Sequence, residues 1–165
     1  MAGGVSGVPN LGEGRATPHR LVNPPSLPTP SGFSHAVVAE PGRHVFVAGQ
    51  VGAQVDGAIA DGAIDEQFGL AAANVVRALE ASGAGPEHVV SLLIYVTDIA
   101  EYRERSREIG VAYRLHFGHH YPAMALLGVS ALFDRLAKVE LIATAVIPPA
   151  AGVHPRSQAG KGDVR

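Results

Sequence analysis

The fold is decided by the segment Tyr121-Pro122-Ala123-Met124-Ala125-Leu126-Leu127-Gly128-Val129-Ser130-Ala131-Leu132. From Met124 onward it is apolar apart from one serine, and it holds no charged residue. Pro122 cannot lie inside a helix without breaking it, and a short apolar run bounded by turn residues is typical of a buried strand. The pattern predicts a strand over residues 124–132.

Two further strands are expected on either side of this segment. Residues 138–147 follow it after a connection around 133–137. Residues 89–97 precede it as a nearly continuous apolar run, which is typical of a strand buried on both faces. The second half of the chain therefore supplies most of the predicted sheet.

Amphipathic helices are expected between the strands, because apolar residues recur there at helical spacing. The first helix has the apolar stripe Phe68, Ala71, Ala72, Val75, Val76 and Leu79. The second begins at Asp98, which with Glu101 forms a predicted capping box. Its inward stripe is Tyr102, Ser106, Ile109, Tyr113 and Phe117.

Residues 36–39 and 44–50 carry β-branched residues around Glu40-Pro41-Gly42, which predicts a hairpin. The element order is then ββαβαββ, and it indicates an α+β layer with both helices on one sheet face. Residues 1–31 are rich in Pro and Gly and are expected to form an extended or disordered arm. One domain is expected over 32–148, with a disordered tail over 149–165.

Composition excludes several classes of function. There are no cysteines, so thiolate catalysis and disulfides are excluded, and a reducing, cytoplasmic location is expected. The net charge of −2 and the absence of a basic cluster in the middle of the chain argue against nucleic acid as a partner. No stretch is long and apolar enough to predict a membrane span.

Four separated segments resemble the reactive intermediate deaminase family (Rid, or YjgF-like) over residues 21–148. They are residues 32–36 (Gly-Phe-Ser-His-Ala), 45–50 (Val-Phe-Val-Ala-Gly-Gln), 94–98 (Ile-Tyr-Val-Thr-Asp) and 122–124 (Pro-Ala-Met). The resemblance implies a chorismate-mutase-like fold and a homotrimer with ligand clefts between subunits. It also implies cofactor-free hydrolysis of imines or enamines, such as 2-aminoacrylate, to a carbonyl compound and ammonia.

The chain departs from the family pattern at the positions that carry this chemistry. The resemblance places the arginine that holds the substrate carboxylate on Met124, the water-positioning glutamate on Ile142, the site tyrosine on Phe33 and the asparagine on Gly110. A thioether cannot make the charge-assisted bonds of a guanidinium. We expect Phe33, Gly110, Met124, Leu126 and Ile142 to bind substrate, and the apolar members to favour a larger, neutral or aromatic one.

Four residues are candidates for the remaining chemistry. His35 has a side chain suited to general base catalysis near neutrality, although a structural hydrogen bond is the more ordinary role of this position. His119 and Tyr121 lie next to Pro122, close to the predicted cleft mouth, and Glu140 is expected on the same strand face as Ile142. The pattern His116, His119, His120 lacks a further ligand, so no metal site is expected.

Two hypotheses follow from these observations. The first is a Rid-like hydrolase for a more apolar imine or enamine, acting in a specialised pathway. The second is a noncatalytic trimer that binds an apolar metabolite or a partner protein, since a fold alone does not specify an activity.

Overall fold

The computed structural model describes residues 16–150. Residues 1–15, the first half of the predicted arm, and residues 151–165, most of the predicted tail, lie outside the described residues. The elements are, in chain order, β1 (Arg20–Val22), β2 (Ala36–Val38), β3 (Arg43–Val51), α1 (Ile64–Ala81), a 3-10 turn (Pro86–His88), β4 (Val89–Val96), α2 (Ile99–Glu104), α3 (Ser106–Phe117), β5 (Ala123–Gly128) and β6 (Val139–Ile147).

The central sheet has four strands in the order β3-β6-β4-β5. β6 pairs antiparallel with both β3 and β4, whereas β5 runs parallel to β4 and forms one edge. A parallel pair requires a crossover connection, and α2 and α3 provide it between β4 and β5. The predicted α+β class is confirmed.

The helices cover one face of this sheet. The stripe of α1 that contains Phe68, Ala72 and Val75 is fully buried against β3 and β6. On β6, Leu141 and its alternate neighbours are buried, whereas Ile142 and its alternate neighbours are only half-buried. Because successive strand residues point to opposite faces, the second face of the sheet is left without a covering layer in one chain.

The predicted hairpin between the first two strands is wrong. β2 pairs with β1, with Leu21 opposite Val37, and these strands form a separate two-stranded sheet. β3 pairs instead with β6. β1 lies within the segment predicted as an extended arm, and its hydrogen bonds to β2 attach it to the domain.

A buried histidine fixes this arrangement. The Nε2 atom of His19 lies 3.0 Å from the carbonyl oxygen of Val146 on β6, and the backbone N–H of Glu40 donates to His19 Nδ1 at 3.2 Å. One neutral imidazole therefore satisfies both groups, with Nε2–H as donor and Nδ1 as acceptor. This contact holds the segment after β2 against β6, where a direct pairing of β2 with β3 was expected.

The second predicted helix is divided at Arg105, where the backbone leaves helical geometry between α2 and α3. The Asp98 carboxylate caps α2 by accepting from the N–H groups of Ala100 and Glu101, at 2.8 and 3.0 Å. Glu101 does not complete the predicted capping box, because its carboxylate accepts from Ile64 N–H and from Lys138 Nζ. Those bonds join α2 to the start of α1 and to Lys138, the residue before β6.

The strand at the decisive segment is shorter than predicted. β5 ends at Gly128, and residues 129–138 form the connection to β6. No helix within residues 16–150 has the length and apolar character needed to cross a membrane.

Candidate functional site

A pocket of about 210 Å³ lies at the edge strand β5, on the face of the sheet that the helices cover. Its lining residues come from the loop before β2, from all three helices and from β4 and β5. They are Gly32, Phe33, Phe68, Ile94, Tyr102, Ile109, Tyr113, Met124, Ala125 and Leu126. The lining holds no charged side chain, so a carboxylate inside it would lose hydration without gaining a cationic partner.

Met124 and Leu126 reach this pocket because of the β4–β5 register. Met124 lies opposite Leu92, and Leu126 lies opposite Ile94. Leu92 and Ile94 are buried against the helices, so their partners point to the same side. Met124 packs against the core, whereas Leu126 is 41% exposed and lies at the pocket mouth.

Phe33 is brought to the same pocket by its neighbour Ser34. The backbone N–H of Ser34 donates to the carbonyl of Pro122 at 2.9 Å, and its hydroxyl donates to the carbonyl of Tyr121 at 2.8 Å. Both bonds fasten the loop before β2 to the chain entering β5. Three predicted binding residues, Phe33, Met124 and Leu126, are therefore close together in space.

The other two predicted binding residues do not line the pocket. Ile142 lies opposite Leu93 on β4, which points away from Leu92, so Ile142 and Met124 are on opposite faces of the sheet. Gly110 lies on α3 and is half-buried next to the guanidinium of Arg114. Within one chain the structure does not bring the five positions together.

Glu140 lies on the same face as Ile142, as its spacing indicates. It is opposite Tyr95 on β4 and Val51 on β3. Its carboxylate occupies the space above Gly49 that a side chain there would need. The neighbouring bulge in β3, between Val47 and Gln50, lets the strand pass under this carboxylate.

His35 is held by two hydrogen bonds and touches the pocket wall. Its backbone N–H donates to Asn23 Oδ1 at 2.9 Å, and its Nε2 lies 2.8 Å from the carbonyl oxygen of Pro28. Nε2 must carry the hydrogen of that bond, which leaves Nδ1 as an acceptor in the neutral ring. The imidazole also meets the ring of Phe33 edge-on, with 5.3 Å between centroids.

Tyr121 packs behind the pocket. Its ring stacks on Tyr113, with centroids 5.3 Å apart and planes 9° from parallel. The Tyr113 hydroxyl donates to the carbonyl of His120 at 2.6 Å, and burial, followed by the nearby Tyr121 and Tyr102, raises the pKa of Tyr113. The ring of Tyr121 therefore supports a wall of the pocket.

The three clustered histidines do not converge. His119 is exposed, whereas His120 is buried with its Nε2 atom 2.7 Å from the carbonyl oxygen of Val89. Burial lowers the pKa of His120, and burial together with Arg77 lowers that of His116. Over residues 16–150, no group of three or more His, Asp or Glu side chains could hold a metal ion.

A second, larger pocket of about 920 Å³ lies beyond the ends of β4 and β5 and is lined by both polar and apolar residues. Its ion pair, Lys138 Nζ to Glu101 Oε1 at 3.0 Å, joins the end of the connection before β6 to α2. Buried Gln67 donates to the carbonyls of Ala60 and Leu136 and accepts from Lys138 N–H. These groups satisfy one another, so they stabilise the connecting loops.

Sequence reasoning missed Tyr102, Ile109 and Phe68 as lining residues of the apolar pocket. Each was assigned to the inward stripe of a helix, because helical spacing does not distinguish a residue packed in the core from one that borders a cavity. The break at Arg105 separates α2 from α3 and sets the position of Tyr102 relative to Ile109. The sequence carries no clear signal for that break.

An α+β layer of this topology, with a pocket at the edge strand β5, defines a YjgF-like fold. The family model described as "Endoribonuclease L-PSP" matches residues 26–147. The chain therefore belongs to this family, the Rid or YjgF family, and the predicted chorismate-mutase-like fold is confirmed.

Relatives with known sequence and structure agree with this assignment. The chain is 33% identical over 119 residues to a RutC family protein of Pyrococcus abyssi, covering 70% of this chain and 89% of the relative. It is 29% identical over 133 residues to a 2-iminobutanoate/2-iminopropanoate deaminase of Dermatophagoides farinae, covering 79% and 98%. A Rid family protein of unknown function from Yersinia pestis has a similar crystal structure, with a TM-score of 0.71, 31% identity and coverage of 78% and 98%.

Proposed function

We propose that this Rid-family protein hydrolyses an apolar imine or enamine that lacks a carboxylate, in a specialised pathway of the cytoplasm. The observation that carries the proposal is the uncharged lining of the pocket around Met124. One relative is a deaminase of 2-iminobutanoate and 2-iminopropanoate, both of which carry a carboxylate. A substrate of that kind would have no cation to bind in this pocket.

The reaction adds water across the C=N bond. The oxygen of water bonds to the imine carbon while one proton of that water passes to the nitrogen. The proton of the resulting hydroxyl then also passes to the nitrogen, and cleavage of the C–N bond releases a carbonyl compound and ammonia. β5 is an edge strand whose start pairs with Ser34 at Ala123, so water near Met124 would be held by the N–H and C=O groups on the outer side of the strand past that bridge. His35 would accept the proton of that water at Nδ1, since its Nε2–H is engaged by Pro28.

A homotrimer would complete the site. The uncovered sheet face of one chain carries Ile142 and Glu140, and the pocket of the same chain opens on the opposite side of the sheet. Only a second chain can place an Ile142 next to a Met124. A nucleic-acid substrate is disfavoured because the net charge is −2, which offers phosphate groups no concentrated positive field.

The activity can be tested by generating an imine in the presence of the protein. A flavin-dependent amine oxidase acting on benzylamine supplies benzaldimine, which has one aromatic ring and no carboxylate. We expect the protein to accelerate formation of benzaldehyde and ammonia over the spontaneous rate. Equal rates with and without protein, across several neutral aryl and alkyl imines, would exclude the hydrolase.

The second candidate is a noncatalytic trimer that binds an apolar metabolite or a partner protein. It is favoured by one observation: none of the positions 33, 110, 124 and 142 carries a polar side chain. A ligand that binds only the folded state raises the melting temperature by mass action. Stabilisation by neutral aromatic compounds without any turnover of their imines would support this candidate over the hydrolase.

A further inference from the structure

The apolar pocket contains one polar side-chain group without a hydrogen-bond partner among residues 16–150, the hydroxyl of Tyr102. The only other hydroxyl in the lining belongs to Tyr113, and it is engaged by the carbonyl of His120. Tyr102 packs its ring against buried Phe68, with 6.5 Å between centroids. Among residues 16–150 no hydrogen bond is formed by the Tyr102 hydroxyl.

The apolar surroundings of Tyr102 would strengthen a hydrogen bond from its hydroxyl to a bound ligand. Burial raises the pKa of Tyr102, so the phenol is neutral at physiological pH and acts as an O–H donor. A donor in an apolar pocket gains more from a ligand acceptor than the same donor in water. The ligand groups that suit it are a carbonyl oxygen or an imine nitrogen.

The size of the pocket limits the apolar part of the ligand. An engineered apolar cavity of about 150 Å³ in another protein accommodates benzene. The volume here, about 210 Å³, has room for one six-membered ring and a substituent of two or three heavy atoms. Phe33 and Leu126, which are 36% and 41% exposed, leave the pocket accessible from solvent.

We propose that Tyr102 is a specificity-determining residue that donates a hydrogen bond to the C=N or C=O group of a neutral ligand with a single ring. The apolar pocket holds the ring, and the phenol orients the reacting group toward β5. The proposal rests on the proposed function only in using the same pocket, because it concerns binding and applies to substrate and product alike.

The test uses three ligands of nearly equal size. Acetophenone has a ring and a carbonyl, ethylbenzene lacks the acceptor, and benzoate carries a charge. The chain has two methionines, Met1 and Met124, so labelling methionine methyl groups with ¹³C gives one resonance that reports on the pocket directly. Dissociation constants are measured by titration for the full-length protein and for Tyr102→Phe.

We expect acetophenone to shift the Met124 resonance and to bind at least roughly fivefold more tightly than benzoate, because the carboxylate would lose hydration in the uncharged lining without gaining a cationic partner. Tyr102→Phe should weaken acetophenone about fivefold and change ethylbenzene less than twofold. An unchanged affinity for acetophenone in Tyr102→Phe, with ethylbenzene still bound, would overturn the role of Tyr102 alone. Failure of both neutral ligands to shift Met124 in the parent protein would overturn the apolar pocket, and the proposed function with it.

Discussion

At position 124 a thioether stands where the family pattern has a guanidinium, and the two groups favour different ligands. Each charge-assisted bond from arginine to a carboxylate contributes about 1.5–3 kcal/mol, which corresponds to roughly one to two orders of magnitude in affinity. Met124 offers only dispersion and burial. An apolar ligand binds more favourably beside methionine than beside arginine, because it does not have to displace water from a cation.

His35 is the residue on which a catalytic role can be tested without disturbing the fold. In His35→Gln the side-chain amide can still donate to the carbonyl of Pro28, but no group accepts a proton in place of Nδ1. General acid–base catalysis contributes typically 10²–10⁴-fold, so we expect kcat for benzaldimine to fall by at least about a hundredfold.

His119→Gln is the matched comparison, because the sequence also made His119 a candidate but the structure leaves it exposed and outside both pockets. Its kcat should stay within about twofold of the parent. If His35→Gln is folded and retains the parent rate, His35 has only the structural role that its bond to Pro28 indicates.

At the level of elements, the β-strands of the central sheet could be predicted because their apolar runs are long. β1 could not, because Arg20–Val22 is three residues long and lies in a proline-rich segment without periodicity. Its pairing with β2 also explains why the hairpin expectation failed: a turn at Glu40-Pro41-Gly42 indicates a change of direction but not which strand becomes the partner. Long-range contacts such as His19 to Val146 decide that choice.

The candidate site, like the sheet, could be predicted only in part from the sequence. Resemblance to the family located Phe33, Met124 and Leu126, because short motifs carry those positions. It could not indicate that Ile142 lies on the other sheet face from Met124, since that depends on the register of β4 with both neighbours. Tyr102 could not be identified as a pocket residue, because its helical spacing also fits a residue packed in the core.

The contact between the end of α3 and the start of β4 makes stability depend on pH. Burial lowers the pKa of His120 below its usual value of about 6.5, so the ring is neutral in the folded state. As pH falls below about 6.5 the unfolded chain binds a proton first, and stability is lost until the lower, folded pKa is reached. His116 acts in the same direction.

We therefore expect the melting temperature to decline between pH 7.5 and pH 5.5, and to decline less in His120→Gln. Glutamine can keep the donor to the carbonyl of Val89 but does not titrate. His119→Gln should show the full decline of the parent. An equal decline in His120→Gln and in the parent would show that the buried ring does not control this transition.

At the scale of the whole molecule, one face of the sheet has no covering layer within the described chain. It carries Phe46, which is 76% exposed and lies opposite Thr144, together with Tyr95, Leu127 and Ile142. An exposed apolar surface of this kind is typical of a subunit interface. Closed assembly of three chains would cover it and would bring Ile142 of one chain toward the pocket of another.

Light scattering after gel filtration tests this assembly. The parent protein should have three times the chain mass of 17.0 kDa, and Phe46→Glu should shift it toward the single-chain mass because a carboxylate would be buried in the interface. Val111→Glu is the control, since Val111 is 56% exposed on α3, on the helical side of the molecule. A parent protein of 17.0 kDa in solution would refute the trimer.

The proposed substrate class is tested most directly by the charge preference of the proposed reaction. The test compares kcat/KM for benzaldimine with kcat/KM for 2-iminopropanoate, in the parent protein and in Met124→Arg. We expect the parent to favour the neutral imine by at least about tenfold, the equivalent of one charge-assisted bond, and Met124→Arg to reduce that ratio. A parent protein that hydrolyses 2-iminopropanoate as efficiently as benzaldimine would contradict the claim that the pocket around Met124 selects an uncharged substrate.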